Sequence, residues 1–123
     1  MIELDDVYKF RSYARKLYTQ DGLLLGDLTG NIGDLRTNNE KIERIDIDFN
    51  NYCIGVYFSK DSTEKDISKV SQEIEFYIRD FILTNANSII ELNGRESDLF
   101  LDYIQSPLLY DKIQVGNLIK FIL

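Results

Sequence analysis

The stretch "ERIDIDFNNYCIGVYFS", Glu43 to Ser59, admits few ways of folding. Ile45, Ile47 and Phe49 alternate with Arg44, Asp46 and Asp48, the two-residue period of a half-buried strand. Asn50-Asn51 follows, and asparagine tolerates the positive φ of a tight reversal. Tyr52 to Phe58 then reads as a second strand. A two-residue turn sets Phe49 opposite Tyr52, Ile47 opposite Ile54 and Ile45 opposite Val56, all on one face. The other face pairs Asp48 with Cys53, Asp46 with Gly55 and Arg44 with Tyr57. A slip by one residue would turn the apolar set into water, so the register is strongly specified. A hairpin over 43–58 is expected, with Ile45, Ile47 and Ile54 in the core.

Helices are expected on either side of it. Over residues 4–19, Val7, Phe10, Ala14 and Leu17 recur at helical spacing, with Leu4, Tyr13 and Tyr18 widening the stripe. Glu3, Asp5 and Asp6 precede Lys9, Arg11, Arg15 and Lys16, an order that complements the helix dipole. A second helix is expected over 63–83, with Ile67, Val70, Ile74, Tyr77, Ile78 and Phe81 on one stripe. Asp61, Ser62 and Thr63 are its candidate N-caps, and Asp61 with Glu64 has capping-box spacing. Residues 22–39 hold four of the seven glycines and read as a compact turn-rich segment, with a short strand at Leu23–Leu25. This segment contains a near-repeat, "LGDLTGN" then "IGDLRTN", and is expected to exchange its amides earlier than the hairpin. Further on, "SIIEL" at 88–92 reads as a strand closed by Asn93-Gly94, and 97–105 as a short helix capped by Ser97. Ser106-Pro107 reads as a cap and first turn, and "KIQVGNLIKFIL" as a strand broken or bent at Gly116-Asn117. The expected class is α+β: a small antiparallel sheet including the hairpin, with at least two helices packed on it. At 123 residues, with no composition shift or long linker, residues 1–123 are expected to form one globular domain.

Composition narrows the function. Twenty-one acidic residues face fourteen basic ones, for a net charge of −7, which disfavours nucleic acid or an anionic membrane as partner. The same charge suits a basic protein surface. One cysteine excludes an intrachain disulfide. The opening "MIELDDVYKF" lacks the basic and apolar regions of a secretory signal, and no apolar run is long enough to span a bilayer. A cytoplasmic protein is expected.

Catalytic chemistry is sparse. There is no histidine, which removes imidazole bases and ligands. Cys53 sits in mid-strand, away from any helix N-terminus that would activate it. Neither a Walker A pattern nor G-x-G-x-x-G is present. Asp46 and Asp48, at i and i+2 on a strand, lie roughly 7 Å apart on one side. That pair could ligate a metal with help from Asp27 and Asp34, or act as an acid/base couple, or wet the open face of the hairpin; the last is expected. On the first helix, Tyr8, Arg11 and Arg15 form one row, suited to an interface, to stacking on RNA, which the acidity of residues 19–123 disfavours, or to the balance of nearby acids, the last being expected.

The remaining candidate is Phe76. It falls opposite the apolar stripe of the second helix, flanked by Glu73 at i−3 and Asp80 at i+4. An aromatic ringed by carboxylates suits a basic partner with an apolar pocket. The expected function is therefore a non-enzymatic, cofactor-free acidic module that binds and blocks or regulates a protein through Phe76, Glu73, Asp80, Asp46 and Asp48. Immunity-type or anti-defence inhibitors of nucleases and toxins are the class in view. A carboxylate-based metal protein or enzyme using Asp46 and Asp48, and a structural or assembly subunit, are the alternatives. If no metal sits on the two aspartates, calorimetric melts in EDTA and in added Ca²⁺, Mg²⁺ or Mn²⁺ will coincide. A rise of several degrees that disappears in Asp46→Asn would show a metal site.

Overall fold

The hairpin forms in the register that the alternation dictates. In the computed structural model, which describes residues 3–18, 22–48, 50–85 and 94–123, β1 (Ile42–Asp48) pairs antiparallel with β2 (Cys53–Phe58). Arg44 faces Tyr57, Ile45 faces Val56, Asp46 faces Gly55, Ile47 faces Ile54 and Asp48 faces Cys53. The expected Phe49–Tyr52 pair lies outside the described residues. The reversal differs from expectation. The positive φ falls on Tyr52, at 54°, and not on Asn50 or Asn51. Asp48 organises the turn, its Oδ1 accepting from the amides of Asn50 and Asn51 at 3.0 and 3.2 Å. Because β1 is an edge strand, Ile45 and Ile47 are only half-buried, whereas Ile54 and Val56 on the inner strand are fully buried.

The chain end folds into a second hairpin. The expected bend at Gly116 is a full reversal between β3 (Asp111–Val115) and β4 (Leu118–Ile122), with Gly116 at φ 57° as the first residue of the turn. β4 then pairs antiparallel with β2, giving the sheet order β1-β2-β4-β3. Inward-facing Ile54, Val56, Ile119 and Phe121 form the floor of a single hydrophobic cluster that the helices roof.

α1 (Leu4–Tyr18) buries Val7, Phe10 and Ala14 as its spacing predicts. The turn-rich reading of 22–39 is overturned, and with it the strand at Leu23–Leu25: the backbone over Gly22–Asn38 is a helix, α2. The seven-residue near-repeat is two helical turns. It sets Leu28, Ile32 and Leu35 at i, i+4 and i+7, and all three are buried. Each glycine in a helix costs about 1 kcal/mol relative to alanine. Each buried aliphatic side chain contributes about 1.5–3 kcal/mol, so burial outweighs propensity here.

α3 (Glu64–Asn85) is closed at its N-terminus by a reciprocal pair. Thr63 Oγ1 accepts from the Asp66 amide at 3.2 Å, and Asp66 Oδ2 accepts from the Thr63 amide at 2.9 Å. Of the three candidate caps, Thr63 is the one used. Asp61 instead pairs with Lys41 at 2.7 Å. α3 buries Ile67, Val70, Ile74, Ile78 and Phe81 as expected, and also Ser71 and Ile82. α4 (Gly94–Gln105) begins earlier than the expected 97–105, which puts Ser97 inside the helix and not at its cap. It buries Phe100, Tyr103 and Ile104. The strand read at 88–92 lies outside the described residues. Ser106 does cap a single 3-10 turn, Pro107–Leu109, accepting from the Leu108 amide at 3.2 Å. No helix among the described residues is long and apolar enough to cross a membrane.

Gly30 and Gly33 lie on the outer side of α2, where an added Cβ would meet nothing within 4 Å. Gly30→Ala and Gly33→Ala should therefore each raise stability by about 0.4–1 kcal/mol in urea unfolding. Destabilisation by both would mean that this segment is not helical in solution.

Candidate protein-binding face

α2 and α3 run against each other and leave a groove between them. Leu35, Asn38 and Asn39 form one wall, and Lys69, Gln72, Glu73, Phe76 and Tyr77 the other, around a cavity of about 530 Å³. A smaller hollow of about 120 Å³ lies further along the same pair of helices, lined by residues including Leu28, Asn31, Asp80 and Phe81. Tyr77 lines both. Asparagine amides close the helix ends beside the groove: Asn39 Nδ2 donates to the Leu35 carbonyl and Asn85 Nδ2 to the Phe81 carbonyl, each at 2.8 Å. These bonds use amide groups that would otherwise compete for a partner, and they hold the walls in place.

Phe76 stands on the lip. It is 62% exposed, and its ring meets Tyr77 edge-on at 5.8 Å between centroids. Glu73 is half-buried and Asp80 exposed on the same helix. Leu83, 48% exposed and seven residues beyond Phe76, extends the apolar row. Sequence reasoning missed Leu83 although its i+7 spacing was visible. It also missed the α2 wall, because the glycines of residues 22–39 conceal that helix.

Asp46 and Asp48 are not part of this face. They alternate with Ile45 and Ile47, so they project from the side of the sheet away from the helices. Asp46 pairs with Arg44 at 3.2 Å, and Arg44 in turn lies 4.1 Å over the Tyr57 ring. Asp48 is committed to its turn, with Asn51 Nδ2 donating to Oδ2 at 2.6 Å. Among the described residues no three Asp, Glu or Cys side chains converge as a metal site would require. Cys53 is half-buried on the same outer side of the sheet.

The basic row of α1 is turned to internal work. Arg11 donates to the Leu108 carbonyl at 2.6 Å and pairs with Asp111 at 3.2 Å. Arg15 places Nε and Nη2 on the Leu123 carbonyl at 3.0 and 2.9 Å and stacks 4.5 Å over Tyr52. Lys9 pairs with Glu96 at 2.7 Å. A hollow of about 460 Å³ remains beside Tyr8, Arg11, Ser12, Arg15, Lys16 and Tyr52.

The chain matches no family model, and neither a curated protein nor a solved structure shows significant similarity to it.

The Asp48 hydrogen bonds have a pH signature. The Asn51 side chain and the amides of Asn51 and Asn50 hold the Asp48 carboxyl below its ordinary value. A depressed folded pKa means that the stabilisation is complete above the unfolded carboxylate pKa of about 3.9 and is lost as pH falls through the folded value. Carboxyl-detected NMR should give Asp48 a midpoint below about 3.9. The Asn50 and Asn51 amides should lose protection over the same titration. A midpoint at or above the ordinary value would mean that the turn is not built on Asp48.

Proposed function

We propose that this protein is a small acidic binding module that blocks or regulates a protein partner. The partner docks on the α2–α3 groove, with Phe76 as anchor and Glu73 and Asp80 as charged flanks. The observation that carries this reading is the 62% exposure of Phe76 beside a groove. Exposed aromatics next to a hollow are the usual centres of protein interfaces, because they bury much area at little entropic cost. A net charge of −7 favours a partner with a basic surface. Nucleases, and toxins that act on nucleic acid, carry such a surface to hold phosphates. An inhibitor of the immunity or anti-defence type, acting in the cytoplasm without cofactor or catalysis of its own, is the most specific form of the proposal.

The carboxylate alternative has less support. Asp48 spends its oxygens on backbone and side-chain donors of its own turn, and Asp46 on Arg44. The assembly-subunit alternative is separated by salt, since an electrostatically steered inhibitor associates more slowly as ionic strength rises.

Capture of the partner from host extract, followed by calorimetric titration, tests the proposal. Phe76→Ala should leave the melting temperature nearly unchanged and weaken binding by about 2 kcal/mol or more. A large loss of stability in Phe76→Ala, or unaltered affinity, would remove this face from consideration.

A further inference from the structure

β3 is an edge of the sheet, and all five of its residues are exposed. Hydrogen bonds further in fix which way its backbone points. The Phe58 amide donates to the Asn117 carbonyl and the Leu123 amide to the Tyr52 carbonyl. Along β4, then, Ile119 and Phe121 bond toward β2, while Leu118, Lys120 and Ile122 bond toward β3. Their partners Val115, Ile113 and Asp111 spend their backbone groups on β4. Lys112 and Gln114 turn an N–H and a C=O each to the open edge, four groups in all. The side chains of these two residues lie on the helix side of the sheet and are still exposed, so no described element overhangs the edge.

Sheet edges ordinarily carry devices against pairing. β1, the opposite edge, has a register shift between Ile42 and Arg44, and charges at Glu43, Arg44, Asp46 and Asp48. On β3 the charges are drawn aside: Asp111 to Arg11 at 3.2 Å and Lys112 to Glu75 at 3.6 Å. What remains is Ile113-Gln114-Val115, with Ile113 45% and Val115 67% exposed on the outer side.

We propose that β3 pairs with β3 of a second copy, antiparallel, about a two-fold axis normal to the sheet at Ile113. An extended backbone is the occupant that the four outward groups demand, and this register satisfies all of them. Lys112 exchanges both of its bonds with Gln114 of the other copy, and symmetry repeats the exchange. Ile113 meets its own copy on the axis. Val115 meets Asp111, with the other copy's Ile113 on the diagonal. No like charges face each other. An axis at Lys112 would oppose the two ammonium groups. An axis at Gln114 would set Lys112 against Gly116, which lies in the turn beyond the strand, and would leave only the Gln114 bonds in the ladder. The Arg11 and Glu75 pairs balance charge beside the edge, so the net −7 of the chain is not concentrated where the copies meet. The contact is five residues long, about 17 Å, so the dimer is weak and concentration-dependent.

Sedimentation velocity from about 10 µM to about 1 mM, with reductant present, should show a monomer–dimer equilibrium. Gln114→Pro is the main probe. The Gln114 N–H is unused within one copy, so proline there leaves the monomer folded, as on natural edge strands. In the dimer it removes two of the four bonds, and the dissociation constant should rise about tenfold or more. Circular dichroism melts check that the variant folds. A second test needs no proline. Opposed residues that exchange no backbone bonds bring their Cα atoms to about 4.5 Å, within the span of a disulfide. In a Cys53→Ser background, Ile113→Cys should therefore oxidise to a covalent dimer. Val115→Cys, whose two copies lie about 14 Å apart in this register, should not. A monomer throughout the concentration range would overturn the proposal. So would a dimer that Gln114→Pro leaves intact, or one that cross-links through Val115→Cys and not through Ile113→Cys.

Discussion

The pairing of β2 with β4 is the constraint on which this structure depends. The two hairpins are each local, and an isolated two-stranded hairpin is marginal in water. What joins them is a ladder between segments more than sixty residues apart, from Cys53 opposite Ile122 to Tyr57 opposite Leu118. Within it Ile54 meets Phe121, both fully buried. Backbone bonds extend the seam at both ends: the Phe58 amide donates to Asn117 at 2.8 Å and the Leu123 amide to Tyr52 at 2.8 Å. With the ladder formed, the sheet offers a continuous apolar floor, and Ile74, Ile78 and Ile82 of α3 lose all exposure on the same cluster. The groove that carries Phe76 exists because α3 is seated in this way and α2 is packed against it.

α1 secures the late-arriving hairpin from the first element of the chain. Its arginines reach the 3-10 turn, the start of β3 and the Leu123 carbonyl. Phe10 adds an aromatic contact, edge-on to Phe100 at 5.4 Å and to Tyr103 at 5.8 Å. Tyr103 in turn donates its hydroxyl to the Leu109 carbonyl, so α1, α4 and the 3-10 turn meet at one buried side chain. Tyr52 accepts a left-handed backbone that a bulky residue rarely takes, while its ring lies under Arg15 and its carbonyl holds Leu123. The positive φ therefore sits at a residue held by Arg15 and Leu123, and not at the asparagines that would adopt it most readily.

The parts legible in the sequence were those in which one local rule acted alone. Alternation at Ile45 and Ile47 specified the hairpin register, and helical spacing at Ile67, Val70 and Ile74 specified the buried side of α3. Phe76 was legible as the residue left opposite that side. Where two rules conflicted, the stronger free energy won. Over 22–39 four glycines argued for turns, but Leu28, Ile32 and Leu35 could be buried together only by a helix. Long-range roles were not legible at all. Nothing local in Arg11 or Arg15 indicates that they bind the other end of the chain. The α2 wall of the groove depends on a helix that composition concealed.

Native-state hydrogen exchange across the β2–β4 seam tests this account most directly. The amides of Ile54, Val56, Ile119 and Phe121 that bond across the seam should be among the slowest in the protein. They should all open at one free energy, equal to that of global unfolding by denaturant, together with the core amides Ile74 and Ile78 of α3. If Ile119 and Phe121 instead exchanged through a lower-energy opening while Ile54 and Ile74 stayed protected, the C-terminal hairpin would be an appendage. The sheet would then not be the support of the candidate binding face.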